Sequence, residues 1–204
     1  MPIKQVFAYY DWQRHQAFDG FKYCPFCQAR LVLVESGQQP RPTCPSCGFV
    51  QYKNPLPAVS ILIANNNKVL LGKRNSSPGK GQWAIPSGYI EFNDDFISTA
   101  IQETKEETGL EVEIKSILNV ISSFFSPSFH FLVIYVEAHI VAGEPVAGDD
   151  LDEVKWFPVS GPLPEMAFQE DIDMLDMHAR KELVGLPIDS RYACQSIKET
   201  GYGQ

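Results

Sequence analysis

The sequence predicts an α/β domain that follows a small module held together by metal. Paired runs of β-branched and aromatic residues predict a sheet, one acidic stretch has the periodicity of a helix, and two Cys-x-x-Cys pairs lie near the N-terminus. The chain has 204 residues, 44% of them hydrophobic, and no long apolar run. These values are typical of one globular domain of ordinary size plus a small additional module, without a membrane-spanning segment.

The predicted strands come in pairs. AVSILIAN and KVLLGKR flank Asn65-Asn66-Asn67, whose side chains tolerate the positive φ of a tight hairpin. EVEIKSILNVISSFF and HFLVIYVEAHIV predict two long core strands, and EVKWFPV predicts a short one. QEDIDMLDMHARKEL predicts an amphipathic closing helix whose methionines belong to the core.

The stretch GYIEFNDDFISTAIQETKEETGL predicts a loop that leads into a helix from about Asp95 to Thr108. Asn93, Asp94 and Asp95 offer N-caps and a negative first turn, and Gly109 stands where a glycine ends a helix. The 100° rotation per residue predicts a core-facing stripe, which comprises Phe96, Ile97, Ala100, Ile101 and Thr104.

Three carboxylates, Glu103, Glu106 and Glu107, converge beside that stripe, and Lys105 points away from them. Like charges at this spacing destabilise a helix by a few tenths of a kcal/mol per pair, a cost that a cation would relieve. A solvated acidic face is the alternative. Glu107 argues against it, because it lies at the edge of the apolar stripe, where an unpaired carboxylate is costly.

The register of this stretch resembles the Nudix box, in which Gly is followed after five residues by Glu, and after seven more by Arg-Glu-apolar-any-Glu-Glu-any-Gly-apolar. The matching positions are Gly88, Glu103, Glu106, Glu107, Gly109 and Leu110. The preceding WAIPSGYIE also resembles the family's Trp-x-x-Pro-Gly-Gly-x-x-Glu. Four positions depart from the pattern, since Asp94 replaces Glu, Gln102 replaces Arg, Thr104 replaces an apolar residue and Ser87 replaces a Gly.

The resemblance implies a Nudix α/β/α sandwich around a mixed sheet. It also implies hydrolysis of a nucleoside diphosphate linked to another group, with Mg²⁺ or Mn²⁺ held by Glu103, Glu106, Glu107 and the Gly88 carbonyl. Such ions take oxygen ligands and bridge carboxylates to substrate phosphates. Glu103 or Glu153 would serve as general base, with Asp152 a neighbour of the same kind, and Arg74 and Lys73 would steady the phosphates.

The expected substrates are ADP-ribose first, then NADH, FAD or a capped RNA end. Zinc-ribbon Nudix enzymes that hydrolyse NADH carry a proline and tryptophan-rich signature after the box, whereas SSFFSPSFH keeps a serine and a proline but lacks the tryptophan. Phe125 and Phe129 are candidates for stacking on a base, with a place in the core as the alternative.

Cys24 and Cys27 form one Cys-x-x-Cys pair, and Cys44 and Cys47 form another. This spacing predicts a closed four-cysteine zinc ribbon made of two knuckles. Disulfides and a rubredoxin-like iron site are the alternatives. Gly48 permits the backbone to bend after the second pair, whereas Gln28 stands at the equivalent place in the first.

The predicted organisation is an N-terminal extension (1–20), the zinc ribbon (21–53), the Nudix domain (54–182) and a C-terminal tail (183–204). We expect a short helix at about residues 11–17 of the extension and a free thiol at Cys194 in the tail. The aromatic N-terminal stretch lacks the apolar run of a signal peptide, so we expect a cytoplasmic protein.

The net charge of −8 argues against a broad nucleic-acid surface, so a phosphate-bearing substrate needs local metal ions. The basic residues of the ribbon are sparse, namely Lys22, Arg30, Arg41 and Lys53. The expected partners are a small nucleotide and a second copy of the chain, in a homodimer built on the ribbon and the aromatic N-terminus. The alternative function is a Nudix module that binds nucleotides or RNA without hydrolysis, with the ribbon contacting nucleic acid.

Overall fold

The structure is a computed structural model that describes residues 3–12, 20–36 and 39–189. Residues 13–17 of the predicted helix and the thiol of Cys194 lie outside this part of the chain, and residues 11 and 12 are not helical. No helix among the described residues is both long and apolar enough to cross a membrane.

Within the described residues, the elements follow one another as strands with two helices inserted. In chain order they are β1 (Val6–Ala8), β2 (Val32–Ser36), β3 (Gln39–Thr43), β4 (Leu56–Asn65), β5 (Lys68–Arg74), β6 (Trp83–Ala84), β7 (Ser87–Tyr89), α1 (Phe96–Thr108), β8 (Glu111–Ser126), β9 (Phe129–Ala142), β10 (Leu151–Pro158), α2 (Gln169–Ala179) and β11 (Leu186–Pro187). The two helices, the β4–β5 hairpin and the core strands predicted for residues 54–182 are confirmed.

The chain divides into two compact units. The larger one contains Met1–Phe7, Pro57–Ser123 and Phe131–Gln204, and the smaller one contains Ala8–Leu56 and Phe124–His130.

The larger unit is built on a sheet to which the described part of the chain contributes nine strands. Its main path runs β1-β8-β9-β4-β5-β10, and β11, β6 and β7 pair with β8, β5 and β4 respectively. The β4–β5 hairpin closes through Asn66 and Asn67, whose φ values are 49° and 59°. These left-handed conformations match the right-handed twist of the flanking strands, which is why asparagine serves at this turn.

The two faces of the sheet carry separate cores. Ile61 and Ile63 pack with Ile97 of α1, whereas Leu62, between them on β4, packs with Met174 of α2. Successive side chains of a strand point to opposite faces, so one helix covers each face. The predicted α/β/α sandwich is confirmed.

The smaller unit contains the β2–β3 hairpin, in which Val32 pairs with Thr43 and Val34 with Arg41. It also contains the tip of the β8–β9 hairpin, where Phe124 stacks on Trp12 at 4.3 Å and on His130 at 3.8 Å between ring centroids. Its apolar core is small, so a bound metal is a physically reasonable source of stability for the ribbon.

Candidate active site

Helix α1 begins and ends where its local sequence predicts. The Asp95 carboxylate accepts hydrogen bonds from the backbone N–H groups of Ile97 (2.8 Å) and Ser98 (3.0 Å), and the Ser98 hydroxyl completes a capping box. Gly109 ends the helix with a φ of 71°, a conformation that favours glycine. The predicted negative first turn is wrong, because the first turn contains no acid and Asp94 precedes the cap.

The predicted core stripe of α1 is largely buried in the structure. Ile97, Ala100 and Thr104 are buried as expected, and Thr108, which falls within the same arc, is buried too, but Ile101 is 39% exposed. The hydroxyl groups of Thr104 and Thr108 donate to the carbonyls one turn earlier, at 2.7 and 2.6 Å. These bonds satisfy the polar atoms, so threonine can replace an apolar residue in the box.

The three box glutamates differ sharply in environment. Glu107 is 2% exposed, Glu103 is half-buried and Glu106 is exposed. Gln102, which stands where the family pattern has arginine, donates to Glu106 Oε1 at 2.9 Å. An amide therefore orients Glu106 here without neutralising its charge.

Strand β7 lies directly against two of these glutamates. The backbone N–H of Ser87 donates to Glu107 Oε2 at 3.0 Å. A Cβ atom added to Gly88 would lie 2.0 Å from Glu103 Cδ, so the Glu103 side chain would have to move away. Glycine at position 88 therefore permits the Glu103 carboxylate to approach the backbone of β7.

A fourth carboxylate joins the three glutamates, from the loop before β10. Gly148 packs so closely on α1 that an added Cβ would lie 2.3 Å from the Glu106 carbonyl oxygen, and its N–H donates to the Glu107 carbonyl at 3.0 Å. These contacts place Asp150 against Glu107. We call Glu103, Glu106, Glu107 and Asp150 the carboxylate cluster.

Asp150 is the residue that sequence reasoning missed, since it favoured Glu153 and Asp152 a few positions later. Asp150 Oδ2 accepts from the Ser76 hydroxyl at 3.3 Å, whereas Oδ1 is buried and has no hydrogen-bond partner among the residues that the structure describes. The sequence signal was the pair of aspartates after Gly148. The sequence did not reveal that Gly148 docks on the helix.

The electrostatics of the carboxylate cluster favour a positive ligand. Burial raises the pKa of Glu107 to about 9, reinforced by the carboxyls of Asp150 and Glu103 and opposed by the Ser87 N–H. Burial also raises the pKa of Glu103 to about 7, with further contributions from Glu106, Asp149 and Asp150. Ionised carboxylates can only accept hydrogen bonds, so the contact between Glu107 and Asp150 requires a shared proton or a cation.

The cluster is more open than a closed metal cage. Among the described residues, only the four cysteines form a group of three or more potential ligands whose atoms all lie within 4.8 Å of one another. A wider carboxylate spacing suits Mg²⁺ or Mn²⁺, which keep several waters and use substrate phosphates to complete their coordination.

The predicted phosphate-binding residues lie at the end of β5. Arg74 Nε donates to the Pro78 carbonyl at 2.8 Å, and its guanidinium lies 5.3 Å from the centre of the Phe168 ring. Lys73 is paired with Trp83 on one side and with Glu153 on the other in the strand register. Contact of either side chain with phosphate stays a prediction.

The remaining predicted residues are placed elsewhere. Glu153 forms an ion pair with Lys155 at 3.1 Å, on the surface of β10. Phe125 and Phe129 belong to the smaller unit, where Phe125 meets Tyr9 edge-on with ring centroids 5.6 Å apart and Phe129 is 45% exposed. A role for these three residues in catalysis or substrate binding stays a prediction.

The four ribbon cysteines converge as predicted. Cys24 Sγ lies 3.5 Å from Cys47 Sγ, and Cys27 Sγ lies 3.4 Å from Cys44 Sγ. Four sulfurs at about 2.3 Å from one tetrahedral zinc ion lie about 3.8 Å apart, which is close to these separations. The Cys47 N–H donates to Cys44 Sγ and, with the Ser46 N–H and the neighbouring thiols, lowers the pKa of Cys44 to about 6, whereas the thiols around Cys47 raise its pKa. Four thiols this close together cannot all be thiolates unless a cation binds them.

The two knuckles have matching backbones. The N–H groups of Gln28 and Gly48 donate to the carbonyls of Cys24 and Cys44, and their φ values are 63° and 77°. Gln28 therefore adopts the left-handed conformation that glycine provides in the second knuckle, which explains the irregularity seen in the sequence.

Comparison with known proteins gives one consistent result. A model of the NUDIX domain matches residues 54–177, which is more than half of the chain. An ADP-ribose pyrophosphatase of Methanocaldococcus jannaschii is 38% identical over 121 residues, which cover 59% of this chain and 71% of that protein. An NAD-capped RNA hydrolase, NudC, of Pseudomonas aeruginosa is 28% identical over 181 residues, and this chain spans only 61% of its length.

The crystal structure of a NUDIX hydrolase from Nitrosomonas europaea has the same fold. It is 28% identical and superimposes with a TM-score of 0.68 over 79% of this chain and 92% of its own length. The residues matched by the NUDIX domain include β7, α1 and the loop that carries Asp150. The chain therefore belongs to the NUDIX hydrolase family.

Proposed function

We propose that this chain is a metal-dependent pyrophosphohydrolase that cleaves a nucleoside diphosphate linked to another group and releases a nucleoside monophosphate. The observation that carries the proposal is the contact between Glu107 and Asp150, in which Asp150 contributes to raising the pKa of Glu107 to about 9. Asp150 Oδ1 is buried and has no hydrogen-bond partner among the described residues. Such an arrangement is costly unless the site binds a cation.

The donor set fits Mg²⁺ or Mn²⁺. Glu103, Glu106, Glu107 and the Gly88 carbonyl are the proposed ligands, to which the structure leads us to add Asp150. All of these donors are oxygens, which are the ligands that both ions prefer. A bound ion supplies charge that polarises the phosphoryl group and lowers the pKa of the attacking water.

The protein side chains have distinct proposed roles. The Ser87 N–H fixes the orientation of the Glu107 carboxylate, and Gly88 leaves room for the Glu103 carboxylate at the backbone. Glu103 is our first candidate for general base because it lies in the carboxylate cluster, and Glu153 is the second. Arg74 and Lys73 would stabilise the substrate phosphates, and Phe125 and Phe129 would contact the base.

We propose ADP-ribose as the first substrate, followed by NADH, FAD and a capped RNA end. One relative is named an ADP-ribose pyrophosphatase and another an NAD-capped RNA hydrolase, and the substrates in both names contain a pyrophosphate. In the proposed reaction water attacks one phosphorus, the bridging P–O bond breaks, and two phosphomonoesters leave.

The test is release of AMP from ADP-ribose, NADH and FAD, and of nicotinamide mononucleotide from NAD-capped RNA, each with Mg²⁺, with Mn²⁺ and with a chelator. We expect metal-dependent release that is fastest with ADP-ribose. Nucleotide binding without release from any of the four would contradict the proposal and favour the non-hydrolytic binding module.

We also propose that the four cysteines hold one zinc ion. The purified chain is expected to contain one equivalent of zinc by elemental analysis, and Cys44→Ser to contain much less, because a closed structural site needs all four thiolates. Cys194→Ser is the matched control and should keep its zinc. Iron in place of zinc would support the iron alternative, and a single titratable thiol, that of Cys194, in the metal-free chain would support disulfides.

The proposed homodimer and cytoplasmic location are supported by surface composition and by cysteine chemistry. The ribbon exposes several large apolar side chains, among them Phe21, Tyr23, Phe26 and Leu33, and reduced cysteines are typical of the cytoplasm. Light scattering that gives the mass of one chain would contradict the dimer, and recovery from a secreted fraction would contradict the location.

A further inference from the structure

The chain changes partner strands just before the carboxylate cluster. Strand β6 pairs with β5 through Ala84 and Gly72, whereas β7 pairs with β4 through Ser87 and Ser60. Ile85 and Pro86 lie between these two strands. A change of partner within two residues leaves backbone groups that no neighbouring ladder satisfies, and buried groups of this kind need another partner.

One of those groups is satisfied by β4 itself and the other by helix α2. Proline has no N–H, and the Pro86 carbonyl accepts from the Ile61 N–H at 2.8 Å. Ile85 is 2% exposed, so water cannot satisfy its N–H. That N–H donates to Asp171 Oδ2 of helix α2 at 3.0 Å.

Asp171 is itself an unusual core residue. It is 2% exposed, and its other oxygen, Oδ1, accepts from the Tyr135 hydroxyl at 2.8 Å. Burial raises the pKa of Asp171 to about 7. The Ile85 N–H, the Tyr135 hydroxyl and Arg74 oppose the rise, and Glu170 adds to it. A buried acid of this kind costs stability, so its two hydrogen bonds must serve a structural or functional purpose.

The position of Ile85 constrains the residues next to it in the chain. Two residues later, the Ser87 N–H donates a hydrogen bond to Glu107 Oε2 at 3.0 Å. At the following residue, Gly88, the Glu103 carboxylate occupies the space that a Cβ atom would need. Both contacts are tight, so a small shift of Ile85 would disturb them. Asp171 therefore influences the carboxylate cluster through the backbone that runs from Ile85 to Ser87.

We propose that Asp171 is a positioning residue, which anchors the β6–β7 crossover through the Ile85 N–H so that Ser87 and Gly88 hold Glu107 and Glu103 in metal-binding geometry. This inference rests on the proposed function for its metal-binding half. Asp171 contacts neither substrate nor metal in this scheme, since it acts only through the backbone.

Three variants separate positioning from simple stability. Asp171→Ala removes the bonds to both Ile85 and Tyr135. Tyr135→Phe removes only the hydroxyl bond and leaves the Ile85 anchor, so it is the matched control. Asp171→Asn is the conservative variant, because the amide oxygen accepts from Ile85 and the amide nitrogen donates to a reoriented Tyr135 hydroxyl.

Two measurements are made on folded samples of each full-length variant. The first is hydrogen exchange of the peptide that covers residues 83–89. The second is Mn²⁺ affinity by calorimetry, without substrate. For Asp171→Ala we expect faster exchange of this peptide and an affinity about tenfold weaker, because partners that orient a metal site typically contribute 10–100-fold. Tyr135→Phe and Asp171→Asn should resemble the unaltered protein in both the exchange rate of this peptide and the Mn²⁺ affinity.

The two readouts keep this inference distinct from the proposed function. Equal exchange of residues 83–89 in Asp171→Ala and Tyr135→Phe would overturn the positioning role, whatever the Mn²⁺ result. An unchanged Mn²⁺ affinity in Asp171→Ala would overturn its link to the metal site. If the unaltered chain bound no Mn²⁺ but exchange still depended on Asp171, the proposed function would fail and the structural anchor would remain.

Discussion

Replacing Glu106 and Glu107 together with glutamine should abolish metal-dependent AMP release, with a fall in kcat on the order of 10³-fold. Removing a single preorganised electrostatic group at a reacting centre costs about 10² to 10³ in kcat, and this variant removes two. The fold should survive, because glutamine is nearly isosteric and its amide oxygen can still accept from the Ser87 N–H. The measurement is initial rate with saturating ADP-ribose and Mn²⁺, together with circular dichroism.

The matched control removes the same amount of charge elsewhere. Glu111 and Glu113 lie at the start of β8, where they pair with Lys105 and Lys115 on the surface. Their double glutamine variant should hydrolyse at close to the normal rate, because exposed ion pairs contribute little. If the Glu106, Glu107 variant retained full activity, the assignment of the metal ligands would be wrong.

The metal-free protein should lose stability as the pH rises from about 5 to 9, and Glu107 should be the main cause. Its pKa rises from 4.5, the ordinary value, to about 9 in the folded state. Over that interval the folded state keeps a proton that the unfolded state has released, so the free energy of unfolding falls as pH rises. One such group gives a slope of about 1.4 kcal/mol per pH unit.

Glu107→Gln tests this effect without a change of shape. We expect the stability of the metal-free variant to exceed that of the unaltered protein at pH 8, with a difference that shrinks toward pH 5. Thermal or urea unfolding of both proteins between pH 5 and pH 8 measures this difference in stability. Glu103 and Asp171 also have raised pKa values, so the variant should retain a shallower slope.

Divalent cations should reverse this loss of stability at high pH in the unaltered protein only. A ligand that binds the folded state alone stabilises it by mass action, and ionised Glu107 is the form that binds. Mn²⁺ should therefore raise the melting temperature more at pH 8 than at pH 5.5, and much less in Glu107→Gln. Parallel pH profiles for the two proteins would show that Glu107 ionises normally in the folded state.

Much of the fold was predictable because its signals are local. The Asp95 cap, the Gly109 terminus and the Asn66-Asn67 turn are each determined by a few adjacent residues, so the sequence located α1 and the β4–β5 hairpin correctly. The convergence of four cysteines followed in the same way from two short knuckles. The register of Gly88, Glu103, Glu106 and Glu107 indicated the family for the same reason.

The width of the buried stripe of α1 was less predictable. An ideal helix places both Ile101 and Thr108 in the core stripe, yet the structure buries Thr108 and leaves Ile101 39% exposed. The arc that a helix buries depends on the sheet beneath it and on the chain that packs at its end. Local periodicity cannot supply that information.

The sequence by itself determined the family pattern, the helix that carries the glutamates and the two cysteine pairs. Only the tertiary structure decided that Asp150 joins Glu107 and that Asp171 anchors Ile85. Asp150 lies 43 residues from Glu107, and its place depends on Gly148 docking against the helix backbone. Asp171 lies 86 residues from Ile85 and meets it because β6 and β7 pair with different strands. Contacts between distant residues arise from packing of the whole sheet, which no short stretch of sequence specifies.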